Sequence, residues 1–457
     1  MNAQDQGNAL TTECKVTHNG NTVVAVGTFQ LQLVIDDGNN ELEQIETQIE
    51  FAGQQFKRNV CGEILKTADE RCVKLFQQTQ PHLHKNGTSP FTFVMKFGHV
   101  TIKRQRLRHS QTGKTVKPSA VLWQTAHHHH ISQQTVEAAC EASQVVSYRK
   151  AAKQLANEAG EEQLIAASTV WNKKQEKGKE LAQQQNDFVE QVLTHKETPP
   201  LVGVPSDSTR QIEADTIQVQ LDEVKTRSQE PEKKWNLTYT ATVETPQKEC
   251  FYLVAESSAA LIQQVVATLT VLGLYLGKRL EVVSDGATWI SDWVGSVKGV
   301  AVEQILCWYH LRKRIYEGLG ALGFAKDRRK LLQKEILGHL WRGRTAAAVW
   351  ILWGLRPSSR PDQRRPNRID ELIGYLLRKR RQIVDYESRR ERGLWLASTR
   401  VEKWNDLAVT IRCKHNGMSW TSQGVLAVAL YAAKQKQGTI NPIAQTTQID
   451  SEYHTTS

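Results

Sequence analysis

The chain has 457 residues, too many for one ordinary domain and enough to bury a core in each of two or three. With 39% hydrophobic and 23% charged residues it is not a disordered chain, and 59 Lys and Arg against 48 Asp and Glu favour a polyanionic partner, nucleic acid above all. No apolar stretch reaches the roughly 20 residues of a membrane helix and no secretory signal opens the sequence, while seven scattered cysteines without a CxxC pair argue against a disulfide framework or a zinc ribbon; a cytoplasmic protein with reduced thiols is expected.

Residues 1–45 are rich in Gly, Asn, Thr and Gln, with short alternating pieces such as Phe29-Gln30-Leu31-Gln32-Leu33. Over 91–107, FTFVMKFGHVTIKRQRL alternates as a pair of strands turning at Gly98, with Lys103, Arg104 and Arg106 at outward positions. The histidine run at 127–130 is expected in a solvated loop or helix lead-in, because a metal site needs ligands held in a fixed tetrahedral geometry. Residues 1–130 therefore read as a small β-containing N-terminal segment.

Residues 131–185 read as helical, with two blocks spaced as a helix-turn-helix DNA-binding region. Ser147 caps YRKAAKQLANEAG, where Ala151, Ala152, Leu155 and Ala156 make one small apolar face and Gly160 ends the turn. A second helix from Ser168-Thr169 puts Lys173, Lys174 and Lys177 on view for a DNA groove. An ordinary helical hairpin with a solvated charged face fits the same spacing. Prolines at 199, 200 and 205 break any periodicity, so 186–215 is expected to be a linker.

Strands take over after the linker. Ile217, Val219 and Leu221 alternate up to Asp222; residues 235–244 and 250–254 give two more strands, 258–276 a helix, 280–284 a strand running into Asp285, and 302–307 another strand. Three antiparallel-looking strands followed by helix, strand, helix and strand is the element order of a ribonuclease-H-like α/β domain, expected here over 216–310 and 398–435. Between these parts, 311–397 reads as a mostly α-helical basic insertion, and 436–457 as a flexible tail. Residues 356–400 hold 13 Arg and Lys against six Asp and Glu, with Pro357, Pro361 and Pro366 keeping part of the run extended. That density favours a phosphate-binding surface, with Arg378, Arg380, Arg381 and Arg400 among its residues. Nine of the twelve tryptophans fall between 289 and 420, most for the core and one or two for stacking on unpaired bases.

Three carboxylates stand where metal-dependent phosphoryl transfer needs them. Asp222 is expected to end the first strand and Asp285 the fourth, where Gly286 lets the backbone turn away; these strands are neighbours in a ribonuclease-H-like sheet, so the two side chains would share a metal. Glu402, in a helix beginning near Ser398-Thr399, would approach from the side. Mg²⁺ takes oxygen ligands and keeps positions open for water and phosphate, which a few carboxylates provide. Each residue alone also fits a humbler role: a strand-end turn, an Asp-Gly turn, and a helix first-turn acid.

VVSDGATWI followed by ILCWYHLRKRI, and later STRVEKWNDLAVTIRCKHNGMSWTSQGVLAVALYAA, together with SYRKAAKQL, resemble bacterial insertion-sequence transposases of the DDE type. The branch is the one with a helical insertion before the final glutamate and a Cys/Asp-x-x-His motif after the second aspartate, and the likeness covers about residues 90–435. The resemblance implies that Asp222, Asp285 and Glu402 are the catalytic, metal-binding triad for Mg²⁺ (or Mn²⁺). It places Cys307 and His310 at the Cys-x-x-His positions, and Arg412, Lys414, Gly417, Met418 and Trp420 in the run after the glutamate, with Arg412 and Lys414 toward DNA. Glu223 follows Asp222 where the branch commonly has glycine, so Asp215 is the alternative first carboxylate. At the end of a strand and start of a helix, Cys307 and His310 are expected to pack, and without a cysteine cluster beside the N-terminal hairpin no structural zinc is expected there. The implied activity is strand cleavage and strand transfer on double-stranded DNA, at element ends and target. The implied setting is a homo-oligomer in the cytoplasm, associated with the nucleoid and not with a membrane. A non-catalytic transposase-derived DNA-binding protein and a structure-specific nuclease of the same fold are the alternatives.

Overall fold

The computed structural model describes residues 9–19, 22–32, 41–125, 129–194, 216–274, 278–356, 368–415 and 418–438. The chain divides into two compact units, Met1–Lys174 and Gln175–Ser457.

In the first unit an antiparallel hairpin of β1 (Ala9–Asn19) and β2 (Thr22–Gln32) precedes α1 (Glu41–Thr79), a 39-residue helix absent from the sequence reading. Only a thin line of its residues packs inward, among them Cys61, Leu65 and Val73, and the Gln and Glu that fill the rest blur the helical period. These residues meet a four-stranded sheet of order β5-β4-β3-β6, made of β3 (Leu83–Met95), β4 (Gly98–His109), β5 (Thr115–Val116) and β6 (His129–Ile131), with α2 (Pro118–Leu122) beside it. The β3–β4 hairpin turns at Gly98, φ 123°, as expected.

Two expectations fail here. Arg104 is not outward: it shares its strand face with buried Ile102, its guanidinium lies 3.3 Å from the Phe91 ring centroid, and its Nη2 donates to Thr125 Oγ1 at 2.7 Å. His129 and His130 are not loop or helix lead-in but β6, paired in parallel with Thr92 and Phe93 of β3. His127 and His128 lie outside the described residues.

After α3 (Gln133–Ala142), the expected helix pair forms. In α4 (Tyr148–Ala159) the Ser147 side chain accepts from the Lys150 N–H, Gly160 closes the helix at φ 65°, and Ala151, Ala152, Leu155 and Ala156 are buried. Its partner α5 (Ala167–Thr194) is longer than expected and takes in residues 186–194 of the supposed linker, because Phe188 and Val192 pack on Ala267. The remainder of that segment lies outside the described residues. Lys174 is not on view for DNA: it is 0% exposed and its Nζ donates to the Cys140 carbonyl at 2.9 Å.

The second unit is mixed α/β. Its five-stranded sheet runs β11-β10-β7-β8-β9, from β7 (Thr216–Arg227), β8 (Trp235–Glu244), β9 (Cys250–Ala255), β10 (Arg279–Ser284) and β11 (Ala301–Leu306). β8 is antiparallel to β7 and β9, whereas β10 is parallel to β7 and β11. Ile217, Val219, Leu280 and Val282 bury one face against α6 (Ser258–Val271) and α7 (Thr288–Ser296). Val283 and Ile305 bury the other face with a helical block, so β10 is covered on both sides, as a parallel strand requires. That block comprises α8 (Trp308–Gly320), α9 (Lys326–Trp341), α10 (Thr345–Gly354), α11 (Arg368–Lys379) and α12 (Tyr386–Glu391), the expected helical insertion, with Leu311, Leu340, Leu352 and Leu376 in its core. The chain returns through α13 (Thr399–Asn405), a π-helical turn at Asp406–Thr410, α14 (Ile411–Cys413) and α15 (Ser422–Gln437). Among the described residues no helix is long and apolar enough to cross a membrane.

Asp222 does not end its strand. β8 keeps pairing beyond it, with Asp222 opposite Thr240, and carries β7 on to Arg227.

A close helix crossing gives a test of this packing. A Cβ at Gly178 of α5 would lie 2.3 Å from Ala427 Cβ and 2.7 Å from Ala427 Cα of α15, a clash against backbone. Gly178→Ala is therefore expected to destabilise the protein by about 1–3 kcal/mol despite the better helix propensity of alanine, read as a lowered urea midpoint.

Candidate functional site

The parallel ladder between β7 and β10 closes with Val283 opposite Gln220. Two residues further along each chain stand Asp285 and Asp222, so both carboxylates leave the same end of this strand pair. Asp285 is shaped by its own turn: its Oδ1 accepts the Ala287 N–H at 2.8 Å, and Gly286 takes φ 86°. A Cβ at 286 would sit 2.8 Å from Leu306 Cδ1, and Lys379 Nζ donates to the Gly286 carbonyl at 2.5 Å, so the turn is held from both sides.

Asp222 is tied to the helix that carries Glu402. Its Oδ1 accepts the Glu223 N–H at 2.8 Å and its Oδ2 accepts Asn405 Nδ2 at 2.7 Å, while Asn405 Oδ1 accepts the Thr240 hydroxyl of β8. At the other end of α13, Gln220 Oε1 accepts the backbone N–H groups of Arg400 and Val401 at 3.1 and 3.2 Å, capping donors that a helix start leaves unsatisfied. One strand thus grips both ends of α13. Glu402 sits in its first turn, where the Ser398 hydroxyl donates to its Oε1 at 2.8 Å.

Cys307 and His310 come to the same place. The Cys307 N–H donates to the Ser284 carbonyl at 2.7 Å, joining the end of β10 to the start of α8, and its Sγ accepts the Ser398 N–H at 3.4 Å. His310 Nδ1 lies 3.9 Å from Glu402 Oε1. One donor atom each from Cys307, His310 and Glu402 lie within 4.8 Å of one another.

The electrostatics agree with this clustering. Burial pushes the Asp222 carboxyl up to about 6, with Asp285 and Glu402 pushing the same way and the Glu223 N–H and His310 opposing them. His310 is raised, chiefly by its hydrogen bond with Cys307 and further by Glu402 and Asp285, against the effect of burial. Burial raises the Cys307 thiol, but hydrogen bonds from His310 and Ser398 outweigh it and leave the group below its usual value. Carboxylates that raise one another in this way would be relieved by a hard divalent cation bound through their oxygens.

The structure sorts the expected DNA contacts. Arg378, Arg380, Arg381 and Lys414 are exposed, and the first three have no ion pair among the described residues. Lys173 is half-buried, and Lys177 pairs with Glu180 at 2.7 Å. Arg400 does not face DNA freely: it pairs with Glu244 at 2.8 Å and lies over the Trp395 ring. Arg412 is 4% exposed, beneath Trp420 and within 3.3 Å of Met418 Sδ. Glu244, which holds Arg400, lies far away in the sequence, whereas Arg412 is turned inward by Met418 and Trp420 of the segment that follows it. Asp215 and Gly417 lie outside the described residues. Gln220, Asn405 and Lys379 are positioning residues that the sequence reading missed, and Ser398, expected only as the start of the helix, also holds Glu402; Gln220 left a signal, standing two residues before Asp222 and so on the same strand face.

The chain matches no family model, and no curated protein is similar to it.

The raised pKa of Asp222 makes a stability prediction. A carboxyl lifted from near 3.8 to about 6 contributes stability that is full below the unfolded value and lost as pH rises through 6. Metal-free wild type should therefore lose about 1–3 kcal/mol between pH 4 and 7 relative to Asp222→Asn, whose amide stays neutral. In thermal unfolding at pH 7.5 in EDTA, Asp222→Asn is expected to melt higher than wild type, and the gap should vanish near pH 4.

Proposed function

We propose that the chain is a DNA transposase of the DDE type, cutting DNA at the ends of an insertion sequence and joining the freed 3′-OH to target DNA. The observation that carries this reading is that Asp222 and Asp285 stand equally far past the last paired residues of a parallel strand pair, with Glu402 on a helix gripped by one of these strands. Two features support it. The order β9-β8-β7-β10-β11, with β8 antiparallel and β10 parallel to β7, agrees with a ribonuclease-H-like sheet. Helices α8 to α12 fall between the last strand and Glu402, where the resembling branch carries its insertion.

Asp222, Asp285 and Glu402 would hold Mg²⁺ or Mn²⁺, and their all-oxygen donors and the strained acidity of Asp222 fit such an ion. When bound, the ion supplies positive charge for the developing charge on phosphate oxygens. Gln220, Asn405 and the Ala287 N–H keep the carboxylates from turning away. Arg378, Arg380 and Arg381 neutralise backbone phosphates and hold the duplex in register, while α4 and α5 are suited to reading element ends. Hydrolysis exchanges one P–O bond for a water oxygen and leaves a 3′-OH; attack by that hydroxyl exchanges a second, in line, with no covalent enzyme intermediate. Two ends handled together call for at least two copies of the chain, acting on DNA in the cytoplasm.

An oligonucleotide assay with the DNA flanking the gene tests this. Wild type is expected to cut and join in Mg²⁺ and not in EDTA, and Asp285→Ala to bind equally and do neither. If wild type and variant both bind and neither cuts, the chain is a non-catalytic DNA-binding relative; cutting without joining makes it a nuclease. Replacing Arg378, Arg380 and Arg381 together by Gln is expected to reduce the slope of log affinity against log salt by about 2–3.

A further inference from the structure

The three carboxylates do not account for Cys307 and His310. These two side chains stand at the N-terminus of α8, three residues apart and so on one side of the helix, and with Glu402 they bring one sulfur, one nitrogen and one oxygen donor within 4.8 Å. His310 Nδ1 is shut off from solvent and lies 3.9 Å from Glu402 Oε1, beyond hydrogen-bonding reach. Ser398 stands behind both flanking donors, with its N–H on Cys307 Sγ and its hydroxyl on Glu402 Oε1. Donors held from behind in this way resemble the outer shell of a metal site more than a packing contact.

We infer that Cys307, His310 and Glu402 form a binding site for a thiophilic divalent cation of the Zn²⁺ class. A thiolate and an imidazole are poor ligands for Mg²⁺ and good ones for Zn²⁺. Tetrahedral Zn²⁺ donors sit about 3.3–3.6 Å apart, so side-chain movements of about an ångström close the set, with a fourth position left for water. The site stands on its own donors whatever the carboxylates do. One consequence rests on the reading proposed above: Glu402 belongs to both sets, so Zn²⁺ would withdraw it from the Mg²⁺ ligands and inhibit strand cleavage.

Co²⁺ added to the full-length, reduced protein tests the site, because thiolate ligation gives a sulfur-to-cobalt charge-transfer band. Wild type is expected to show this band, saturating at one Co²⁺ per chain, displaced by Zn²⁺ and not by excess Mg²⁺. Cys307→Ser, which keeps the other six cysteines, is expected to abolish it. His310→Gln, at a side chain only partly buried, is expected to weaken Co²⁺ binding about tenfold or more. The double variant Asp222→Asn, Asp285→Asn should keep the band, which separates failure of this site from failure of the carboxylate reading. Absence of the band in wild type, or its persistence in Cys307→Ser, overturns the inference.

Discussion

Parallel pairing of β7 with β10 is the constraint on which the rest of the site depends. It sets Asp222 and Asp285 at equal distances past the last paired residues, Gln220 and Val283. Side chains alternate along a strand, so a slip of one residue would send Asp222 to the opposite face and Gln220 with it. Register is secured by apolar burial: Ile217, Val219 and Leu221 of β7 and Leu280 and Val282 of β10 share one core. The polar residues interleaved with them are free to serve the site. Gln220 caps α13 and Asp222 meets Asn405, so the register that aligns two carboxylates also delivers the third.

Gathering these acids costs stability, which the surrounding structure offsets. Asp222 would ionise readily in water, yet burial and two neighbouring carboxylates hold its proton until about pH 6. Hydrogen bonds from the Glu223 N–H and Asn405 limit that cost without removing it. Gly286, at φ 86° against Leu306, lets Asp285 leave the sheet where a side chain would clash. The helical block packed on Val283 and Ile305 supplies the buried apolar area that such an arrangement draws on.

Cationic residues divide into two populations that composition merges. Arg104 lies under aromatic rings, Lys174 caps a carbonyl, Arg389 bridges Glu281 and Glu303 at 2.9 and 3.2 Å, and Arg400 and Arg412 are occupied within the fold. Arg378, Arg380, Arg381 and Lys414 remain at the surface. The net charge of +11 therefore counts cations held inside the fold together with those at its surface.

Much of this was legible in the sequence where a local rule governs. The α4 helix followed from Ser147, its alanine face and Gly160; the second unit's strands followed from alternation; the turn at Asp285 followed from Asp-Gly. These signals are local because capping, pleat and turn chemistry act within a few residues. Other features came only with the tertiary structure. The length of α1, the continuation of β7 beyond Asp222, the inward turn of Arg104 and Arg412, and the convergence of Cys307 and His310 on Glu402 all depend on partners in other elements of the fold. Sequence determined which residues could bear charge, ligate or turn. Which of them meet was decided by packing, because burial of one apolar face chooses the neighbours of every polar group on the other.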